Sequence, residues 1–481
     1  MTLTSSLLCL RETIEITEAQ SAADQDPMRS PTVLLASGSN ARGQLANGTF
    51  DDSHIFAPCN FLGSLPGKLP LNTRRIVHIA SGSNHALALL ERLDETGNCR
   101  KELWGCGDGG KGQLGPSYLT DVDRRTEVLR SVFRPLDLPL QRCGLEGYTC
   151  KLVASAWETS YVILSSNGKD DAVLCMGADD YGDLGIPNST PGKESAKHLN
   201  VVKFDHFASR GKHLDHRHLV VESVSAGTHH VIIHVHSTAV SSGVPGEHFT
   251  VGWGSSRHGQ LGPNSKPNQA AISTVPRLIP DENITRPVHM ISSALGNQHS
   301  VFLHASGFLS HLGSNKKGQV RDLTTLRNVQ SVSCTWNGTY AVVQLDDGNR
   351  AIFATGSHAK GQLGRLTSSV ESEPATLPLS PVSFPFASLS HQLVGIASGS
   401  EHVLALFRTS NNHCDFGVAT EVETEVWGWG WNEHGNLGTG STEDVKLPTR
   451  IWPKPSVADN TVGRTVGIWA GCGTSWIALD L

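Results

Sequence analysis

Short apolar stretches that alternate with period two, each cut off by glycine, run the length of the chain, and helical periodicity is scarce. The stretches fall into two phrases that take turns. The first is a strand followed by Gly-x-x-x-x-Gly and a Gln/Asn/Asp-Leu/Val pair. It reads S-G-S-N-A-R-G-Q-L at 37–45, W-G-C-G-D-G-G-K-G-Q-L-G at 104–115, M-G-A-D-D-Y-G-D-L-G at 176–185 and W-G-S-S-R-H-G-Q-L-G at 253–262. It returns as L-G-S-N-K-K-G-Q-V at 312–320, T-G-S-H-A-K-G-Q-L-G at 355–364 and W-G-W-N-E-H-G-N-L-G at 429–438. Its leading glycines are Gly38, Gly107, Gly177, Gly254, Gly313, Gly356 and Gly430. They are expected at tight turns with positive φ, where a Cβ would clash.

The second phrase is a run of small residues leading into an alternating apolar strand, as in I-A-S-G-S-N-H-A-L-A-L at 79–89 and I-A-S-G-S-E-H-V-L-A-L at 396–406. Together the two phrases supply about four short strands per copy, too few to bury a core alone. Stacked face to face around an axis, such sheets protect both their faces and their edges. The pattern therefore predicts an all-β, seven-bladed β-propeller, with the small residues on the crowded strands beside the axis.

The register also predicts how the ring closes. Val33–Ala36 reads as a third strand and Trp476–Leu479 as a second strand, so 466–481 and 32–72 together complete one blade. The other six are expected at 76–145, 151–210, 220–286, 288–328, 329–386 and 393–454. Residues 1–30, with two basic against five acidic side chains, read as a flexible acidic extension to a propeller spanning 31–481.

Composition narrows the functional class. The 481 residues carry 39 basic and 45 acidic side chains, which does not favour nucleic acid as a direct partner. No apolar run approaches the about 20 residues that span a bilayer, so no membrane contact is expected. The ten cysteines stand singly with no C-x-x-C pair, which reads as reduced thiols in a cytoplasmic or nuclear protein.

With seven copies in register, the chain over 31–481 resembles the regulator of chromosome condensation superfamily, whose members are seven-bladed propellers. The likeness is weakest where Arg321 follows Val320 and where Ala46 replaces the final glycine. The segment V-W-G-W-G-W-N-E-H-G-N-L-G at 426–438 is similar to the closing repeat of fungal alpha-tubulin suppressor proteins and of secretion-regulating exchange factors. The first likeness implies a non-enzymatic accessory protein, binding a small zinc protein that serves diphthamide synthesis and Elongator-dependent tRNA modification. The second implies a guanine nucleotide exchange factor for a small GTPase, with Asp179 and Asp180 as candidate loop participants. Either way a monomeric propeller in a heteromeric complex, without cofactor or catalytic residue, is expected. Plant ultraviolet receptors of the superfamily carry Gly-Trp-Arg-His motifs, but Trp157 and Trp336 here are followed by no arginine.

Candidate partner-binding residues sit just before the second glycine of each first phrase: Arg42, Lys111, Tyr181, His258, Lys317, Lys360 and His434. On one rim they would form a partly cationic circle for an acidic surface; alternatively, their long side chains pack across to the next blade. Trp157 and Trp336 are either aromatic anchors at the central face or wedges between blades. Trp427, Trp429 and Trp431 alternate and are expected to share one packed face. His85, His230, His299 and His402 occupy one repeated slot, which suits a hydrogen bond to the turn rather than a single catalytic base. His213, Asp215, His216 and His218 sit in a basic insertion at 186–219, where the spacing without cysteines assigns no metal.

Overall fold

The computed structural model describes residues 32–120, 129–187, 199–204, 217–239, 246–263, 271–279, 289–366, 376–386, 390–409, 423–454 and 463–481. The 1–30 extension and most of the 186–219 insertion lie outside them.

Among the described residues the strands form seven antiparallel sheets, one per blade. Blade 1 is Thr73–Ser81, His85–Leu93, Cys99–Gly107 and Arg134–Pro135; blade 2 is Thr149–Ser155, Thr159–Ser165, Ala172–Gly177 and Asn200–Val202. Blade 3 is Arg217–Ala226, His230–Ala239, Glu247–Ser255 and Ile272–Leu278, and blade 4 is Met290–Leu295, His299–His304 and Leu309–Gly313. Blade 5 is Val329–Thr335, Gly338–Gln344, Arg350–Ser357 and Thr376–Pro381; blade 6 is His391–Ser398, His402–Thr409, Thr424–Gly430 and Val445–Trp452. Blade 7 combines Arg464–Ala470 and Thr474–Asp480 with Thr32–Gly38 and Ser53–Pro58.

The expected clasp is present. Thr32–Gly38 pairs with Thr474–Asp480 in unbroken register, Val33 opposite Leu479 and Ala36 opposite Trp476. The first strand of each blade packs beside that of the next, and that of blade 7 packs beside that of blade 1, so the ring is closed.

Packing explains the alternation. Strand side chains point to opposite faces, and each face of a blade meets a neighbour. Seven buried apolar clusters result, each spanning one seam between blades. Among the described residues the seam between blades 3 and 4 is the thinnest, with six buried residues against ten or more elsewhere. Blade 4 has only three strands; a short 3-10 turn, Leu323–Thr325, follows its last turn instead of an outer strand. This departs from the expected four and falls where Arg321 breaks the motif.

The repeated histidines are seam elements rather than turn supports. His85 Nε2 meets Ser160 Oγ at 2.9 Å, His230 Nε2 meets Ser300 Oγ at 3.0 Å and His299 Nε2 meets Thr339 Oγ1 at 3.2 Å. His402 Nε2 does the same with Ser475 Oγ at 3.1 Å. Each partner belongs to the following blade. Trp427 and Trp429 share the face toward blade 5, whereas Trp431 lies beyond the strand, edge-on to His434. The eight described cysteines are unpaired; Cys59, Cys106, Cys175 and Cys334 are buried, but Cys99 is exposed. No described helix is long and apolar enough to cross a membrane.

Candidate functional site

The leading glycines fix where the loops go. All seven have positive φ, between 92° at Gly107 and 125° at Gly356. A Cβ on any of them would sit 2.1–2.5 Å from a backbone oxygen in the turn between the blade's first two strands, for example 2.2 Å from Glu158 O at Gly177. The next residue's N–H then donates to that same oxygen: Ser39 to Gly473, Asp108 to Asn84, Ala178 to Glu158, Ser255 to His229, Ser314 to Gln298, Ser357 to Asn337 and Trp431 to Glu401. The first-phrase and second-phrase turns of every blade are thereby bolted together on one face of the propeller.

The Gln/Asp slot has a local role as well. Its side chain accepts the N–H of the residue two before it, at Arg42, Lys111, Tyr181, His258, Lys317 and Lys360. Blade 6 differs, since Asn436 Nδ2 donates to Trp431 O. Asn40, Asp179, Asn315 and Asn432 accept the N–H of the Leu/Val that ends the turn. Asp179 is therefore a buried turn brace, not a free loop acid, while Asp180 is exposed. Ala46, in place of glycine, adopts φ 53° and keeps the turn.

This geometry brings the seven candidates onto the shared face but divides them in chemistry. Arg42, Lys111, His258 and Lys317 are exposed. Lys360 reaches Asp444 of blade 6 at 3.1 Å, and His434 reaches Asp52 of blade 7 at 2.6 Å. Those aspartates also accept the N–H of Asn432 and Asn40. Lys360 and His434 thus tie blades together at the rim. Tyr181 lies against His229, ring centroids 4.0 Å apart, with the Arg257 guanidinium over the Tyr181 ring at 5.5 Å from its centroid. Burial there holds His229 down to about 4.

An axial cavity of about 510 Å³ is lined by the first strand of every blade. Its rim on the loop face is hooped by main-chain bonds: Ser83 N–H to Trp157 O, Trp157 N–H to Thr228 O, Asn297 N–H to Trp336 O, Trp336 N–H to Ser400 O and Ser400 N–H to Gly471 O. Trp157 and Trp336 are half-buried and meet across this mouth, centroids 5.9 Å apart; neither is wedged between blades. Beside them Glu401 accepts from Asn337 Nδ2 at 2.5 Å and Gln362 Nε2 at 3.0 Å. Burial raises its pKa, opposed by those bonds and by the charge of Lys317.

Of the basic-insertion candidates, only His218 is described, beside Asp170 at 3.4 Å; His213, Asp215 and His216 lie outside the described residues. The described residues bring together one group of metal-ligating side chains that the spacing does not reveal, Glu222, His248 and His289.

A closed ring of seven small sheets that bolts its turns onto one face, around a narrow tryptophan-capped axis, defines a β-propeller built to present loops. The regulator of chromosome condensation (RCC1) repeat matches residues 33–89, 252–303 and 423–475. The chain carries RCC1 repeats over those three segments. Each matched segment starts in, or one residue before, the third strand of one blade and ends in the second strand of the next, so each of the three ties two blades together. The chain is 26% identical to the mouse secretion-regulating guanine nucleotide exchange factor, covering 96% of this chain and 87% of the relative. It is 23% identical to an RCC1 repeat-containing protein of Schizosaccharomyces pombe, over 93% of this chain and 99% of that one. Among solved structures it shares its fold with Prp20p from Saccharomyces cerevisiae, studied for binding to Gsp1p and histones. The TM-score is 0.64 at 19% identity, over 94% of this chain and 92% of that one.

Proposed function

We propose that this propeller is a guanine nucleotide exchange factor that docks a small GTPase on the face carrying the bolted turns. The observation that carries the reading is the full-length similarity to the secretion-regulating exchange factor, which extends through all seven blades rather than one module. Exchange makes and breaks no covalent bond. It requires only a docked surface whose contacts favour the nucleotide-free partner over the loaded one, a matter of differential binding. The face offers the ingredients: exposed cations at Arg42, Lys111 and Lys317, an aromatic pair at the centre, and the shielded carboxylate of Glu401. Among the described residues, no feature of the face favours the accessory role with a small zinc protein.

Release of a fluorescent guanine nucleotide from a panel of small GTPases tests the proposal. At least one GTPase is expected to lose nucleotide faster with catalytic amounts of the propeller. Intrinsic rates across the panel, with no stable nucleotide-free complex on gel filtration, would end it.

A further inference from the structure

At the end of the propeller opposite the docking face, on the thin seam between blades 3 and 4, the fold gathers histidines around one carboxylate. His236 and His248 are directly paired across neighbouring strands and their rings stack in parallel, centroids 4.2 Å apart at 6°. His289, immediately before the first strand of blade 4, crosses His248 at 61° with centroids 3.7 Å apart. Glu222 comes from the first strand of blade 3, where the register slips between Val221 and Ser223. It is the extra residue of a β-bulge, a device that re-aims a side chain, and its Oε2 lies 3.2 Å from His248 Nδ1.

We propose that Glu222, His248 and His289 bind a divalent transition-metal ion of the zinc class, stapling blade 3 to blade 4. One donor atom from each of the three lies within 4.8 Å of the other two. Metal–ligand bonds of about 2.0–2.1 Å in a tetrahedron separate ligands by roughly 3.4 Å, so modest side-chain rotation closes the set. Two imidazoles and a carboxylate are a known zinc donor set that leaves one position for water, and imidazole suits zinc better than the hard cations. The part-exposed side chains of Glu222 and His248, at 31% and 37%, give an ion a way in. One further observation points to a ligand. His289 Nδ1 is buried without a hydrogen-bond partner among the described residues. The His236 ring that supports His248 is itself backed by Gly246, where a Cβ would stand 2.2 Å from His236 Nε2. The location has a structural purpose, because among the described residues this seam has the smallest apolar cluster and joins the three-stranded blade.

The full chain, stripped with chelator and titrated with Zn²⁺ against a chromophoric competitor, tests this. One tight equivalent is expected, with a Tm rise on adding zinc. Glu222→Gln, His248→Gln and His289→Gln should each weaken it by at least about 10–100-fold, the loss seen when even a supporting partner of a ligand is removed. His248 is exposed, so the metal-free His248→Gln protein should melt like the parent, separating ligand loss from misfolding. No zinc uptake over the competitor by the parent overturns the proposal. So does uptake by the variants as tight as the parent's, which would put the ion elsewhere.

Discussion

Trp157 and Trp336 belong to blades three places apart in the ring, yet their indoles meet over the axis with centroids 5.9 Å apart. Each also carries main-chain links of the rim hoop, Trp157 to Thr228 and Trp336 to Ser400. The backbone holds the turn, so the indoles are free to serve a partner. Trp157→Ala and Trp336→Ala should leave the melting temperature nearly unchanged. Either should weaken GTPase binding by the about 2 kcal/mol or more typical of an aromatic anchor, read by titration calorimetry. Unaltered affinity would remove the pair from the docking face.

The clasp predicts a different outcome at Leu34. This residue is buried at 1% exposure in the cluster joining blades 7 and 1, on the strand that pairs with Thr474–Asp480. Leu34→Ala should cost about 2–5 kcal/mol. Deleting residues 1–38 should expose the edge of the Thr474–Asp480 strand and promote self-association. Urea melts and light scattering check both. A truncated protein that stays monomeric with parental stability would show that the clasp is dispensable.

Gly177 combines φ 119° with a virtual Cβ 2.2 Å from Glu158 O. Gly177→Ala should lose at least the about 1–3 kcal/mol of a strained backbone site, whereas Gly168→Ala, with nothing within 4 Å, should lose less. Equal Tm values for the two variants would contradict the close-approach account.

What the sequence shows follows from which features constrain residue type. The seven turns were legible because positive φ next to a carbonyl admits glycine almost alone. The clasp at Val33–Ala36 was legible because period-two burial identifies a strand whose partner is missing locally. The bulge in all seven first strands was not. Its extra residue is Val77, Lys151, Glu222, Ile291, Gln330, Val394 and Val466, which runs from aliphatic to charged, so no one residue type marks it. That is why Glu222 could not be placed beside His248 and His289 beforehand. The histidine slot was visible, but its partners Ser160, Ser300, Thr339 and Ser475 lie in the next blade, 40 to 75 residues away.

Those seam histidines make stability depend on pH. Burial holds His85 and His402 down to about 4, and His230 and His299 down to about 3, from an ordinary 6.5. They are neutral in the fold, while the unfolded chain takes up protons below 6.5. Their contribution is therefore complete above that pH and is lost as pH falls toward 3–4. At pH 5.5 each histidine costs about 1.4 kcal/mol relative to neutral pH. The melting temperature should drop by roughly 5–10 °C between pH 7.5 and 5.5. A flat profile across that interval would mean the imidazoles are not buried neutral.

The exposed cations of the face and the bracing ones differ in what their loss should change. Arg42 and Lys111 sit on adjacent blades 7 and 1 and are exposed, whereas Lys360 is paired with Asp444 across a seam. Lys317 lies close enough to Glu401 to lower that group's pKa, so Lys317→Gln is the cleaner change there. Arg42→Glu with Lys111→Glu and Lys317→Gln should shift stability by no more than about 0.5 kcal/mol per site. It should slow association with the GTPase at low salt, and the difference from the parent should shrink as added salt screens the field. Lys360→Glu should instead show its effect in the melting curve, by up to about 1 kcal/mol, because it places two carboxylates across one seam. Stopped-flow association at two ionic strengths, beside thermal melts of both proteins, distinguishes them. If the triple variant associates at the parental rate in low salt, the circle of cations plays no part in docking, and the central tryptophans must carry recognition alone.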